Sequence, residues 1–141
     1  MAALACVLMV GPAIQAKTIR VGSSAAAGYR SLKPAVSAAA DGDVIVVEKG
    51  TYAGADSRDI LIQGKAVTIR SVDPNDPAVV AATVIDCEGT ASDVHRVFDL
   101  LTGAAAGLDL EGLTITRGYG PVSGGVVSCE GDVFRAYNCV F

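Results

Sequence analysis

Two segments near the end of the chain share one pattern of apolar residues, and this repeat restricts the fold more than any other feature. Residues 108–115 (LDLEGLTI) and 134–141 (FRAYNCVF) stand at a constant offset of 26 positions. Four pairs of positions therefore coincide: Leu108 with Phe134, Leu110 with Ala136, Leu113 with Cys139, and Ile115 with Phe141. A period of about 20–50 residues is typical of stacked repeats, in which one unit cannot bury its apolar face alone. We expect the two segments to lie on neighbouring rungs and to direct these side chains into a shared core.

One residue in the middle of each copy shifts the apolar alternation by one position. That residue is Gly112 in the first copy and Asn138 in the second. Gly and Asn enter the left-handed backbone region most readily, whereas other residues lose about 1–2 kcal/mol there. Each copy is therefore predicted to form a strand, a one-residue left-handed corner and a second strand. Two unrelated strand–turn–strand segments are the alternative interpretation.

The composition favours one domain built from short strands. Apolar residues make up 51% of the 141 positions, aromatic residues only 5%, and there are 16 glycines and no tryptophan. Aliphatic side chains with many glycine corners suit stacked strands better than a helix bundle. The net charge is −4 and no basic stripe occurs, which argues against a nucleic-acid partner, because phosphate neutralisation needs clustered Lys and Arg. An acidic surface would also repel a polyanionic sugar unless a cation intervened.

The N-terminal segment has the features of an export signal. Residues 1–16 carry no charged side chain, hold an apolar run, and end with Ala16 before Lys17. We therefore predict a signal peptide over 1–16 and a secreted domain over 17–141. A buried N-terminal strand is the alternative. The apolar run is shorter than the roughly 20 residues of a membrane span, so no transmembrane segment is predicted.

The chain after this segment predicts one helix followed by short strands. Ser31 is placed to cap a helix that runs to Ala40, with one apolar stripe formed by Leu32, Ala35, Val36 and Ala39. We expect this helix to cap the open end of the apolar core. Short apolar runs at 17–21, 44–47, 60–62, 66–71, 83–86 and 97–100 predict strands, and 73–77 predicts a loop. Because Phe141 falls mid-strand with no capping segment after it, the chain is expected to be the N-terminal part of a longer stack.

Carboxylates are the main candidates for chemistry. Asp73, Asn75 and Asp76 carry oxygens that suit calcium, but the neighbouring prolines favour an ordinary surface turn. Asp99 and Asp109 are predicted to point outward from strands, where they could line one groove; solvent-facing polarity is the alternative. No catalytic residue, cofactor or metal ligand is assigned from the sequence.

His95 and three cysteines are the remaining candidates. His95 precedes Arg96 and could act as a base beside an anion contact, or simply as a solvated loop residue. Cys87 and Cys129 each begin the tripeptide Cys-Glu-Gly, which would allow a stacked pair, and Cys139 is predicted to point inward. Small buried thiols are favoured over a disulfide.

Several segments together resemble secreted bacterial right-handed parallel β-helix repeat proteins of the pectin-lyase-like superfamily. They are ADGDV at 40–44, GTY at 50–52, RDI at 58–60, GKAVTIRS at 64–71, VIDC at 84–87, RVF at 96–98, GLTI at 112–115 and NCVF at 138–141. The resemblance implies an all-β fold, a right-handed parallel β-helix (solenoid) with a short N-terminal capping helix. Pectinesterases, pectate lyases and polygalacturonases share this arrangement and act on acidic plant polysaccharide. None of their catalytic motifs matches a position in this chain.

The expected function is a secreted or cell-surface module that is structural or binds a glycan or another surface partner. The alternative is the N-terminal part of a polysaccharide lyase or of a glycoside hydrolase or pectinesterase-like enzyme. A third class is a spacer that displays another domain. Expected partners are a polysaccharide or cell-surface glycan and further β-helix coils, without nucleic acid.

Overall fold

A computed structural model describes residues 15–100, 106–120, 125–129 and 131–141. These residues form eleven strands and two helices in the following order. They are β1 (Thr18–Val21), α1 (Leu32–Ala38), β2 (Val44–Val47), β3 (Gly50–Tyr52), β4 (Ile60–Ile62), β5 (Ala66–Ser71), α2 (Pro77–Ala82), β6 (Thr83–Asp86), β7 (Phe98–Leu100), β8 (Gly107–Glu111), β9 (Thr114–Thr116), β10 (Val127–Cys129) and β11 (Val133–Tyr137). The predicted signal peptide falls almost wholly on residues 1–14, which lie outside this description.

The strands form three sheets, and every strand pairing among them is parallel. Sheet A has the order β1-β2-β5-β8-β11, sheet B the order β3-β6-β9, and sheet C the order β4-β7-β10. From β2 onward the chain visits sheets A, B and C in turn and then returns to sheet A. The described chain therefore consists mostly of strands in parallel sheets with few helices, as expected for an all-β protein.

The repeat seen in the sequence sets the register between β8 and β11. Leu108 pairs with Phe134 and Leu110 with Ala136, at the predicted offset. The second half of the repeat is aligned too, because the backbone N–H of Ile115 donates to the carbonyl of Val140 at 2.8 Å. The two segments are thus neighbours in space, and their interpretation as unrelated segments is wrong.

The corners between sheets A and B adopt the predicted left-handed backbone. Gly112 has φ +62° and Asn138 has φ +50°. Because Gly112 has no side chain, Pro74 and Ser71 can pack directly against its backbone. A Cβ at this position would lie 2.5 Å from Pro74 Cβ and 2.9 Å from Ser71 Oγ. The loop around Pro74 therefore folds directly over this corner.

The core is a column of aliphatic side chains stacked from strand to strand. In sheet A, equivalent register positions hold Ile19, Ile45, Ile69 and Leu110, all of them buried. In sheet C, Ile60 lies beside Phe98, and both are buried as well. Like residues share the interior because in-register parallel pairing superposes equivalent positions at about 4.8 Å.

The prediction that the whole second copy of the repeat is buried is wrong. Phe134 is 36% exposed and Phe141 62%, whereas their counterparts Leu108 and Ile115 are each 1% exposed. The difference follows from sheet order: β8 lies between β5 and β11, while within the described chain β11 has a neighbour only on the β8 side. A core side chain of sheet A is covered only when another strand or a helix lies on each side of its strand, as α1 does for the edge strand β1.

Helix α1 begins where the sequence predicts and packs against the apolar core. Ser31 is the N-cap residue, and Leu32, Ala35 and Val36 are buried against β1 and β4. The helix ends at Ala38, two residues earlier than expected. The Lys65 ammonium satisfies its terminal carbonyls by donating to Val36 O and, at 2.8 Å, to Ala39 O.

The sequence does not predict helix α2, because the composition of residues 73–77 is typical of a turn and indicates a loop. Asp76 is its N-cap, accepting a hydrogen bond from the backbone N–H of Ala78 at 2.8 Å, and Pro77 occupies its first turn. Six residues are too few to create a helical periodicity in the sequence. Neither α1 nor α2, the helices found among the described residues, is long and apolar enough to cross a membrane.

Candidate functional site

The outward face of sheet A presents regular rows of side chains that are polar except at the two valines of β2. Because residues alternate between the two faces of a strand, every second residue points away from the core. Two of these rows cross all five strands: Thr18, Val44, Thr68, Asp109 and Arg135, and then Arg20, Val46, Arg70, Glu111 and Tyr137. Each row therefore places one side chain from every rung at the spacing of neighbouring strands.

An open groove of about 580 Å³ runs across the strand beginnings of this face. Its floor is low because Gly42, Ala66 and Gly107 occupy neighbouring positions and carry at most a methyl group. Ala66 pairs with Gly107 in the register, and the N–H of Gly42 donates to the carbonyl of Ala66 at 2.7 Å. The groove exists because three consecutive rungs have small residues at the same position.

Charged groups of both signs line the groove. Arg135 NH1 lies 3.4 Å from Asp109 Oδ2, and the two side chains are 71% and 36% exposed. Asp132 accepts a hydrogen bond from the N–H of Ala106 through Oδ1 at 3.3 Å. Its Oδ2 is buried and has no hydrogen-bond partner among the described residues. The groove thus combines a solvent-accessible guanidinium–carboxylate pair with further acceptor capacity.

An aromatic ring completes this face. Tyr137 is 59% exposed and lies beside Glu111 in the register, one row from Arg135. Exposed tyrosines offer a flat apolar surface together with a hydroxyl group. We name the groove, the Asp109–Arg135 pair and Tyr137 together the sheet A site. The sequence had singled out only Asp109 among these residues.

The predicted groove shared by Asp99 and Asp109 does not form. Asp99 belongs to β7 in sheet C, whereas Asp109 belongs to β8 in sheet A. Each carboxylate is bound by its own arginine, Asp99 by Arg96 at 3.1 Å and Asp109 by Arg135. Consecutive strands of this chain enter different sheets, so closeness in sequence does not bring their outward residues together.

His95 contacts two aspartates in a cluster that the sequence did not reveal. Its Nδ1 lies 2.6 Å from Asp59 Oδ2, and its Nε2 lies 3.2 Å from Asp93 Oδ1. Asp59 also accepts from the backbone N–H of Arg96 at 3.3 Å. The cluster joins the start of β4 to the loop before β7, so His95 is a cross-rung link and not a solvated loop residue.

The candidate calcium ligands are engaged in local turns. Asp73 accepts from the N–H of Asn75 at 3.1 Å, and Asp76 caps α2. The side-chain oxygen of Asn75 accepts from Asn138 Nδ2 at 3.3 Å. In the described ranges no group of three or more His, Cys, Asp or Glu side chains is arranged to hold a metal ion.

The three cysteines of the described chain are free thiols. Cys87 is fully buried, and burial raises the pKa of its thiol to about 11. Cys129 pairs with Leu100 within sheet C, whereas Cys87 follows a strand of sheet B, so the two Cys-Glu-Gly segments do not stack. Cys139, predicted to lie in the core, is only partly buried, and the segment after β11 that holds it pairs with the start of β9.

Two arginine–carboxylate pairs lie at the corner that follows sheet B. Arg117 Nε donates to Asp86 Oδ1 at 2.8 Å, and this guanidinium is the main reason that the pKa of the Asp86 carboxyl lies below its ordinary value. Arg58 lies 2.9 Å from Glu88 and also donates to the carbonyl of Cys87 at 3.3 Å. These pairs connect neighbouring rungs and therefore serve stability.

No family model matches the chain, and neither does any curated protein or solved structure compared with it.

Proposed function

We propose that the chain winds as a right-handed parallel β-helix and serves as a secreted or cell-surface module that binds a glycan at the sheet A site. The winding is supported by the recurring order of sheets A, B and C along the chain and by left-handed corners at Gly112 and Asn138. Secretion is supported by the uncharged, apolar character of residues 1–16.

The observation that carries the binding proposal is the groove of about 580 Å³ with an ion pair on its wall. Sugar hydroxyls both donate and accept hydrogen bonds. Asp109 can accept from two neighbouring hydroxyls, while the Arg135 guanidinium donates in a fixed fork. Because the charges of Asp109 and Arg135 cancel each other, the pair does not favour a charged ligand and suits a neutral sugar.

The shape of the sheet A site favours a polymer over a small molecule. The groove is open and extends from Gly42, before β2, across β5 and β8 to β11, so a chain of sugars can lie along it and leave at either end. Tyr137 can pack against the apolar C–H face of a sugar ring at the side of the groove. Asp99 in sheet C and Asp109 in sheet A, the carboxylates that the sequence suggested for acid–base work, do not share this groove. Binding without catalysis therefore accounts best for the site.

The test is binding of neutral and acidic oligosaccharides to the full chain, measured by calorimetry with and without calcium. Asp109→Asn should weaken binding by about 10- to 100-fold, since one hydrogen bond to a charged group contributes about 1.5–3 kcal/mol. Asp99→Asn makes the same chemical change in sheet C and should leave the affinity unchanged.

Each other outcome contradicts the proposal in its own way. Equal losses in the two variants would place binding elsewhere than sheet A. Binding of no glycan would favour the spacer class. Release of new reducing ends or unsaturated products from the polymer would favour the polysaccharide-degrading alternative.

A further inference from the structure

A second and smaller cavity lies among loops near α1, apart from the sheet A site. Its volume is about 250 Å³. Its walls come from the segment after β1, the start of α1, the turn between β2 and β3, and the loop before β4. The residues used below are Ser23, Arg30, Ser31, Lys49, Tyr52 and Ser57.

The charged residues that line this cavity are both cations, Arg30 and Lys49. The cavity is therefore positively charged, although the whole chain carries an excess of acidic side chains, 15 against 11 basic ones. The carboxylate next to the cavity is Glu48, which lies beside Gly22. It is already engaged, accepting from the N–H of Ser24 at 3.1 Å and lying 3.8 Å from Arg20. The cavity therefore keeps an uncompensated positive charge.

Several hydroxyl-bearing residues line the cavity together with the two cations. Ser31 is the N-cap residue of α1, yet its hydroxyl makes no capping hydrogen bond, which leaves it free to donate elsewhere. Ser57 is 1% exposed and lines the same cavity, and Ser23 lies at its edge. The Tyr52 hydroxyl donates a hydrogen bond to the carbonyl of Glu48 at 2.8 Å, which holds the ring in place as one wall of the cavity.

The Arg30 guanidinium is held at the cavity by one of its own hydrogen bonds. Its NH1 donates to the carbonyl of Gly22 at 3.3 Å, which orients the group and leaves its other N–H donors available. A guanidinium fork matches the spacing of oxygens on an oxyanion, and an ammonium such as Lys49 adds a second positive charge. These donors come from the start of α1, the turn between β2 and β3 and the loop before β4, and all of them line the same cavity.

We propose that this cavity binds a tetrahedral oxyanion group, a sulfate or a phosphate ester. Two cations balance the charge of a dianion. Arg30 and Ser31 lie at the start of α1 and Ser57 lies in the loop before β4, so donors from two segments line the cavity, which suits an anion whose oxygens point in several directions. A flat carboxylate would occupy Arg30 and leave the hydroxyl donors unmatched. This cavity shares no residue with the sheet A site, so the proposal can be tested independently of glycan binding there.

The experiment is a titration of the full, isotopically labelled chain by two-dimensional NMR at constant ionic strength. Inorganic sulfate, inorganic phosphate and acetate are the first probes, and glucose 6-sulfate and glucose 6-phosphate then distinguish the two ester classes. We expect saturable shifts of the Ser31 and Ser57 amides with both tetrahedral ions. Arg30→Gln and Lys49→Gln should each lower the affinity by about tenfold or more. Arg70→Gln removes an equal charge outside both this cavity and the groove of the sheet A site, and it should leave the affinity unchanged.

Thermal unfolding of each variant first establishes that it is folded, and Ser57→Ala supplies a second variant that keeps both charges and should weaken binding. The proposal is overturned if the shifts do not saturate, or if Arg30→Gln and Arg70→Gln weaken binding equally. Acetate binding as tight as that of sulfate and phosphate would overturn the choice of a tetrahedral group.

Discussion

Replacing Gly112 with alanine tests the left-handed corner and the close packing over it at the same time. Alanine at φ +62° loses about 1–2 kcal/mol relative to glycine because its Cβ crowds the following carbonyl. The same Cβ would also lie 2.5 Å from Pro74 Cβ and 2.9 Å from Ser71 Oγ, so the overlying loop must move. Overpacking of this kind costs about 1–3 kcal/mol. The expected total loss of unfolding free energy is about 2–5 kcal/mol.

Gly42 provides the matched control. Its φ is +84°, also in the left-handed region, but a Cβ there would have no atom within 4 Å. Gly42→Ala should therefore lose only the backbone contribution of about 1–2 kcal/mol. The difference between the two variants isolates the contact with Pro74 and Ser71.

Urea unfolding followed by circular dichroism measures both losses. With a slope of about 1–3 kcal/mol per molar for a chain of this size, a loss of about 3 kcal/mol moves the midpoint by roughly 1–3 M. Equal midpoint shifts in the two variants would refute the close approach of the Pro74 loop. A wild-type midpoint in Gly112→Ala would refute the left-handed corner itself.

Three further predictions concern the core, acid stability and thiol reactivity. Leu110→Ala should lose about 2–5 kcal/mol of unfolding free energy, since this side chain is fully buried; a loss below about 0.5 kcal/mol in urea unfolding would mean that it is not core. The pKa of Asp86 is lowered in the folded state by Arg117, so its contribution to stability is present above the unfolded pKa and is lost as pH falls through the folded pKa. The urea concentration at the unfolding midpoint should therefore decrease as the pH is lowered below about 4, and Asp86→Asn should make this decrease smaller. An equally steep decrease in the variant would show that Asp86 does not cause the acid destabilisation. In the native protein at neutral pH, Cys139 should react with a thiol reagent long before Cys87, whose thiol is buried with a pKa of about 11, and equal rates would contradict that burial.

Local and periodic features of the fold could be predicted from the sequence. The pairing of Leu108 with Phe134 follows from a constant offset, because in-register parallel strands turn an interval along the chain into adjacency in space. The corners at Gly112 and Asn138 follow from which residues tolerate positive φ. Helix α1 follows from its cap and its apolar stripe. Each of these features depends on residues within one segment or on the comparison of two similar segments.

The candidate sites could be predicted only in small part. Asp109 was recognised as outward-facing, but its partner Arg135 and the floor formed by Ala66 and Gly107 were not. The groove forms where small residues on several neighbouring strands lie side by side. These residues are far apart in the sequence, so no motif within one segment reveals them. His95 likewise became a link to Asp59 only because the two loops lie next to each other in space.

The sequence by itself determined which residues alternate, where the backbone turns left-handed, and which segments are equivalent, because these depend on side-chain size and backbone freedom over a few residues. Only the tertiary structure decided that Asp99 and Asp109 enter different sheets, that Phe134 is exposed while Leu108 is buried, and that two cations share one cavity. Exposure and charge depend on what lies across from a residue in space. In these parallel sheets, that neighbour lies tens of residues away along the chain, as Phe134 does from Leu108.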